Sequence, residues 1–217
     1  MNAILLFSGN NKSDLYVADY LGSLAIPACF SWFADGFADS FPEKPWRWRL
    51  SKKEAKEIVV EHKDNIEVYS CGISTSRRNL EKLNPPDRYR EIALGREWWE
   101  NNFFGSGFSA MRVFHPHGNK NSTDTVRDAI RCGYDWVIAC DGATFVPRKI
   151  NKQAWFLLDD LEKLQSSPLE IEQLDNKTIF IVSNNPIVTK DDKDQLEEMI
   201  IFLGSSGVEF TTVLSCG

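Results

Sequence analysis

The opening segment of this 217-residue chain constrains its fold more than any other part of the sequence. An apolar run from Ala3 to Phe7 stops at a loop of small and polar residues, Ser8 to Ser13. The apolar residues that follow fall on one face of a helix: Leu15, Val17, Ala18 and Leu21. This pattern predicts a buried strand, a tight loop and a helix.

The loop has the composition of an anion-binding loop. The start of a helix offers unpaired N–H groups and the positive end of the helix dipole. Gly9 allows the backbone to approach a ligand closely, and the side chains of Ser8, Lys12 and Ser13 add hydrogen-bond donors. An ordinary strand-to-helix turn has the same pattern, so both interpretations remain open.

Composition limits the class of protein. Apolar residues make up 42% of the chain, which is enough for the core of one domain. The sequence has no apolar run of the ~20 residues that a membrane span needs, and no basic segment precedes the first apolar run as in a signal peptide. We therefore expect a cytoplasmic protein with no membrane partner. The net charge of −6 argues against broad nucleic-acid binding.

Cysteines and histidines give no metal-binding pattern. The five cysteines include no CxxC pair, so neither a disulfide framework nor a zinc ribbon is expected. His115 and His117 would share one face of an extended segment. Two ligands are too few for a metal site, and no carboxylate or cysteine lies at a matching spacing. We predict no metal-ligating residues.

The rest of the chain alternates predicted strands with predicted helices. Strands are expected over 24–33, 65–71, a short stretch beginning at 111, 134–140, 177–183 and 208–214. Helices are expected over 51–62, 87–101, 122–132, 154–164 and 190–203. Ser51 and Glu54 have the spacing of a capping box, and Ser122 is a candidate N-cap. The alternation predicts an α/β fold with a mostly parallel sheet.

We expect a single domain, 1–217, with an insertion or lid within 35–107. Trp46 and Trp48 alternate with Arg47 and Arg49 in this part of the chain. Such an alternation is typical of a platform on which a base stacks, or of a loop that its aromatic rings anchor.

The order of the motifs resembles the PP-loop ATP pyrophosphatases, in the branch of the 7-cyano-7-deazaguanine synthases. That family has Ser-Gly-Gly-x-Asp-Ser between its first strand and helix, and Ser8-Gly9-Asn10-Asn11-Lys12-Ser13 resembles it. The second half resembles the family at the segment from Pro116 to Asn121, at the strand that ends in Asp141, at Thr189-Lys190 and at Ser215-Cys216.

The chain departs from the family's pattern in three places. Asn10 replaces a glycine and Lys12 replaces an aspartate in the loop. Asn10 restricts close approach of the backbone if a positive φ is needed there, and a lysine cannot help to hold Mg²⁺ as an aspartate does. The family's zinc-binding cysteine cluster would follow Cys216, and only Gly217 follows it in this sequence, so zinc is not expected.

The resemblance implies a three-layer Rossmann-like fold, of the adenine nucleotide alpha hydrolase type, with helices on both faces of the sheet. It also implies binding of ATP and Mg²⁺ and an ATP-dependent ligase or synthase activity that adenylylates a carboxylate or an amide with release of pyrophosphate. The nucleotide would be held by residues of the loop and of a later helix: Ser8, Gly9, Asn10, Asn11, Lys12, Ser13 and Lys190. Lys12 and Asp141 are the candidate catalytic residues, and Arg148 is a further candidate for phosphate charge.

Three alternatives stay open. The altered loop fits a catalytically inactive nucleotide-binding module, or a module that contacts a protein partner or a second copy of the chain. The strand and acid from Asp135 to Gly142 resemble the metal-holding strand of a small sugar-nucleotide transferase. Asp141 is equally well explained as a turn residue, and Lys190 as a solvated helix start.

Overall fold

The computed structural model describes residues 2–40, 48–75, 79–103, 111–116, 122–138, 153–157, 178–183 and 185–215, with the backbone alone for 153–157 and 178. Eight strands lie in these ranges: β1 (Asn2–Ser8), β2 (Ala28–Trp32), β3 (Ile66–Ser70), β4 (Val113–Phe114), β5 (Trp136–Val137), β6 (Gln153–Leu157), β7 (Thr178–Ser183) and β8 (Glu209–Phe210). The same ranges contain five α-helices: α1 (Ser13–Ser23), α2 (Lys52–Glu61), α3 (Pro85–Phe103), α4 (Thr123–Arg131) and α5 (Lys190–Ser205).

All described strand pairs are parallel, which confirms the predicted α/β class with a mostly parallel sheet. The strand order is β5-β4-β3-β2-β1-β7-β6, and β8 pairs with the first residues of β1. A doubly wound sheet places the fourth strand in the chain beside β1, where the order reverses. Here β7 lies beside β1, and each strand from β1 to β4 pairs with the next. This is the strand order of a barrel, left open between β5 and β6 in the described part of the chain.

The two faces of the sheet differ in a way that also fits a barrel. One face carries Ala3, Leu5 and Phe7 of β1 and packs against apolar residues from all five described helices. The opposite face packs on itself. Its apolar cluster consists of residues from strands and from the segments that flank them: Ile4, Leu6, Cys29, Tyr69, Val113, Trp136, Ile138, Phe180, Val182 and Val213.

The predicted three-layer architecture with helices on both faces is therefore not what the described residues form. Their helices cover the outer face alone, and the inner face curves around a core of strand side chains. The sequence pattern did not distinguish the two arrangements because both are built from the same strand–helix repeat.

The segment after β8 closes the N-terminal end of this curved sheet. Tyr69 on β3 accepts a 3.1 Å hydrogen bond from the backbone N–H of Val213. Glu67, two residues earlier and on the same face, accepts a 2.5 Å hydrogen bond from the hydroxyl of Thr212. The predicted strand over 208–214 is thus reduced to Glu209–Phe210, because the following residues turn to make these contacts.

Two predicted helix starts are confirmed in detail. The Ser51 hydroxyl accepts from the N–H of Glu54, whose carboxylate accepts from the N–H of Ser51. The Ser122 side chain accepts from the N–H of Thr125 in the same way.

Two predicted elements were wrong in type or extent. We predicted a helix over 154–164, but Gln153–Leu157 is a strand that pairs with β7, and 158–164 lies outside the described residues. A continuous apolar run suits a buried strand as well as a helix, and pairing decides between them. Helix α5 passes through Gly204, where we predicted its end. It stops instead before Gly207, whose φ of +71° is a left-handed helix terminator.

Candidate functional site

The inward-facing side chains at the C-terminal ends of β1 to β4 form the candidate site. Side chains alternate between the two faces along each strand, so Ser8 lies on the same inner face as Ile4 and Leu6. The same alternation places Ser31, Cys71 and His115 on the inner face at the ends of their strands. We call this group the mouth; it consists of Ser8, Ser31, Cys71 and His115. Ligands of parallel α/β folds bind at this end of the strands.

Three residues of the mouth form a hydrogen-bonded chain. The Ser31 hydroxyl lies 2.7 Å from Nδ1 of His115 and 2.8 Å from Sγ of Cys71. All three are buried, with Ser31 fully enclosed. Burial raises the pKa of the Cys71 thiol to about 12, against a smaller lowering by the Ser31 bond. The thiol is therefore protonated at neutral pH and is a weak nucleophile.

Ser8 is the unsatisfied member of the mouth. It pairs in register with Ser31 on the neighbouring strand, so the two hydroxyls lie side by side on one face. Ser8 is 7% exposed, and none of the described residues gives its Oγ a hydrogen-bond partner. A buried hydroxyl without a partner costs about 1–3 kcal/mol. A ligand atom at the mouth would remove that cost.

The backbone N–H groups of the predicted phosphate loop donate hydrogen bonds to other groups of the protein. The N–H of Gly9 donates to the carbonyl of Ser31 at 3.1 Å, and the N–H of Lys12 donates to the carbonyl of Trp48 at 2.9 Å. The N–H of Asn11 donates to the Asp14 carboxylate at 3.2 Å. An anion-binding loop keeps such groups for its ligand.

Asn10 has a structural role in this loop. Its side chain bonds both the N–H and the carbonyl of Phe33, at 2.9 Å and 3.1 Å, and the residue is fully buried. Its φ is +54°, a conformation that asparagine tolerates better than most residues. A Cβ on Gly36 would lie 2.3 Å from its Oδ1, so Gly36 is what makes room for this side chain. Asn10 therefore ties the loop to the end of β2.

Asp14, which the sequence analysis did not single out, is buried behind the loop. Its carboxylate accepts a 2.7 Å hydrogen bond from the indole N–H of Trp32, in addition to the bond from Asn11. Burial raises the pKa of Asp14 from 3.8 to about 7, and the two hydrogen bonds oppose this shift. Trp32 belongs to the outer cluster, so Asp14 lies on the helix side of the sheet, away from the mouth.

The other predicted site residues are dispersed. Lys12 and Ser13 line a cleft at the outer rim of the barrel. The Lys12 ammonium lies 3.3 Å from Glu54, and the Ser13 hydroxyl accepts from the N–H of Ile187 at 3.2 Å. Lys190 is exposed on α5, 4.0 Å from Asp194. Asp141, Arg148 and His117 lie outside the described residues.

Comparisons with known proteins place the fold but not the family. No known family's sequence profile matches the chain, and no curated protein matches it in sequence. Solved structures do match. The Bc1960 peptidoglycan N-acetylglucosamine deacetylase, in complex with a substituted benzamide, has a TM-score of 0.62 at 16% identity over 99% of this chain and 86% of that one.

Two further solved structures have a similar fold, one of an esterase and one of a pseudoenzyme. A family 4 acetyl xylan esterase from Clostridium thermocellum, in complex with a cobalt ion, has a TM-score of 0.61 at 15% identity over 99% of this chain and 89% of that one. BA3943, a CE4 family pseudoenzyme from Bacillus anthracis, has a TM-score of 0.59 at 14% identity over 99% of this chain and 64% of that one. This chain shares its fold with catalytically active and inactive proteins alike.

These similarities overturn the resemblance to the PP-loop ATP pyrophosphatases. The matching structures are carbohydrate esterases and deacetylases, and ATP, Mg²⁺ and a 7-deazaguanine-type ligase activity find no support in them. The resemblance was wrong because a strand, a small polar loop and a helix recur in many α/β folds. The backbone N–H groups of Gly9, Asn11 and Lys12 donate within the protein and are not directed at a ligand.

The cobalt ion of the esterase raises the question of a metal here, and the described residues of the mouth do not fit one. The mouth offers one imidazole and one thiol, and the Ser31 hydroxyl already bridges Nδ1 of His115 to Sγ of Cys71. Among the described residues, the one group with metal-ligand spacing is Asp19, Glu61 and His62. It lies on the outer helices α1 and α2, where His62 and Asp19 are 3.0 Å apart.

No helix in the described part of the chain is long and apolar enough to cross a membrane.

Proposed function

We propose that this chain binds an acetylated saccharide at the mouth and does not hydrolyse it through a metal ion. The fold supports a carbohydrate ligand, because the similar structures include a peptidoglycan N-acetylglucosamine deacetylase and an acetyl xylan esterase. A similar pseudoenzyme supports the idea that the fold is also used without catalysis.

The unsatisfied hydroxyl of Ser8 carries the proposal. A serine hydroxyl is a donor and an acceptor, and it suits the neutral hydroxyl, carbonyl and amide groups of an acetylated sugar. The polar side chains of Ser31 and His115 lie next to it on the same face, where both are buried. A saccharide that accepts from Ser8 gains a hydrogen bond and relieves an unpaired buried group at once.

Ser31 and His115 have the residue types of a serine nucleophile and its histidine base. Its 2.7 Å separation lies within the range of such pairs. Ser31, however, is fully buried, and its hydroxyl is bonded on both sides. The chain Cys71–Ser31–His115 therefore supports the shape of the mouth, and Ser8 contacts the ligand.

The proposal is tested by measuring binding and acetate release together. The full chain would be titrated with an N-acetylglucosamine oligosaccharide and with an acetylated xylooligosaccharide, once in EDTA and once with added Co²⁺ or Zn²⁺. We expect binding of one of them in both buffers and no acetate release in either.

Two results would overturn the proposal. Acetate release that depends on the metal would make the chain a deacetylase whose ligands include residues outside the described ranges. If neither saccharide binds, the proposed carbohydrate-binding function is wrong.

A further inference from the structure

A second candidate ligand site lies at the outer rim of the barrel, outside the mouth. A cleft of about 340 Å³ opens between the loop that follows β1 and the loop that follows β7. We call it the rim cleft; its lining includes Lys12, Tyr16, Trp48, Ile187, Val188 and Lys193. Since both loops follow C-terminal strand ends, the rim cleft opens at the same end of the barrel as the mouth.

The walls of the rim cleft are largely aromatic and aliphatic. Trp48 is 55% exposed although it is a large apolar side chain, and Val188 is 65% exposed. Tyr16 forms a further aromatic wall on α1. The apolar C–H face of a sugar ring packs well on exposed aromatic rings, which bury a large area at little cost in conformational entropy.

The charges of the rim cleft are positive. Lys12 and Lys193 are the charged residues among those that line it, and the lining includes no carboxylate. The Lys193 ammonium lies 4.0 Å from the centre of the Tyr16 ring, which holds it at the cleft wall. The Lys12 ammonium is 3.3 Å from Glu54, a surface pair that is 57% and 23% exposed. The lining therefore contributes positive charge, of which the Lys12 charge is shared with Glu54, and this charge favours an anionic ligand.

We propose that the rim cleft binds a carboxylate-bearing sugar unit, a uronic acid within an oligosaccharide. The ring would pack against Trp48, since the Lys193 ammonium lies over the Tyr16 ring, and the carboxylate would accept from Lys12 and Lys193. The volume of the cleft is near the lower end of small-molecule sites, which suits a mono- or disaccharide unit. This inference rests on the proposed saccharide function and names a charged subsite for the same class of ligand.

The test compares two forms of one ligand. The full chain would be titrated calorimetrically, at low salt, with an oligosaccharide that bears a uronic acid and with the same compound after reduction of its carboxyl group to an alcohol. Surface ion pairs are individually weak, so we expect the acid form to bind roughly tenfold more tightly through two of them. The preference should shrink as salt is added.

Variants assign the preference to the rim cleft. Lys12→Gln with Lys193→Gln should abolish the tenfold preference for the acid form. Lys53→Gln with Lys190→Gln is the matched control: it removes the same charge from side chains that are each 87% exposed and do not line the cleft. Trp48→Ala should weaken both forms of the ligand alike.

The inference and the proposed function fail in different ways. Equal binding of the two forms would contradict the uronic-acid site in the rim cleft, and so would a preference that survives in the Lys12 and Lys193 double variant. Either result would do so even if Ser8-dependent binding of neutral saccharides persisted. Binding of the acid form through the lysines, with no binding of any neutral saccharide, would keep the rim cleft and overturn the function proposed for the mouth. If neither form binds, the proposed uronic-acid site in the rim cleft is wrong.

Discussion

The hydroxyl of Ser31 on β2 lies 2.7 Å from Nδ1 of His115 at the end of β4, although β3 separates the two strands. Neighbouring strands are about 4.8 Å apart, so residues two strands apart begin about 10 Å from each other. Their side chains meet because both point to the concave face of a curved sheet. This contact brings the ends of separate strands together in one polar surface.

The central prediction concerns Ser8. Replacement by alanine removes a buried hydroxyl that has no partner among the described residues, so Ser8→Ala should leave the free energy of unfolding unchanged or raise it by about 1 kcal/mol. The same change should weaken saccharide binding about five- to tenfold, since it removes a ligand hydrogen bond. Urea unfolding and calorimetry measure the two effects. Ser23→Ala, on the exposed end of α1, is the control.

A loss of stability in Ser8→Ala would mean that the hydroxyl has a structural partner. Unchanged saccharide binding would mean that the ligand lies elsewhere.

The Ser31–His115 contact is predicted to be energetically coupled. Ser31→Ala leaves Nδ1 of His115 without this partner in a buried site and should cost about 1–3 kcal/mol of unfolding free energy. His115→Phe should cost a similar amount because the Ser31 hydroxyl loses one of its two bonds. A double-mutant cycle should give a coupling energy of about 1 kcal/mol. Strict additivity in urea unfolding would contradict the contact.

Cys71 is predicted to be unreactive in the folded protein. With a pKa of about 12, roughly one thiol in ten thousand is ionised at pH 8, and the side chain is buried as well. Iodoacetamide at pH 8 should therefore modify Cys71 only after unfolding in urea, as mass spectrometry of the modified peptide would show. Rapid modification of the native protein would instead indicate a thiolate at the mouth, and hence a nucleophile.

Asp14 is predicted to make stability depend on pH. Because the pKa of Asp14 rises from 3.8 to about 7 on folding, the folded state binds an additional proton between these values. Its contribution to stability is complete below about pH 4 and is lost as the pH rises through 7. Between pH 5 and pH 8 the loss amounts to about 2–3 kcal/mol.

Asp14→Asn removes the titrating group while keeping an oxygen that can accept from Trp32. The variant should lose about 2–3 kcal/mol less than the wild type between pH 5 and pH 8, measured by urea unfolding at both values. Parallel pH profiles for the two proteins would show that Asp14 titrates at its ordinary pKa.

Local patterns predicted the local structure well. The strand from Ala3 to Phe7, the capping box of Ser51 and Glu54 and the N-cap at Ser122 depend on residues within four positions of each other. Their physical causes, burial on one face and capping of unpaired N–H groups, can be read from the sequence.

The arrangement of the strands and the site could not be read in this way. Ser31 and His115 are 84 positions apart, and their contact depends on the order in which the strands pair. Asn10 resembled a substituted phosphate-loop residue, but its hydrogen bonds to Phe33 cross 23 positions. A sequence signal was available in the polar residues that end the apolar runs of β1 and β2, namely Ser8 and Ser31. Their common face becomes evident once the register pairs them.

The most direct test of the central claim is a calorimetric titration of the wild-type chain and Ser8→Ala with one acetylated oligosaccharide in EDTA, followed by an assay for acetate in the same sample. The account predicts that the wild type binds without a metal, that Ser8→Ala binds about five- to tenfold more weakly, and that no acetate appears. Binding that requires an added divalent metal, or acetate released from the bound saccharide, would contradict it.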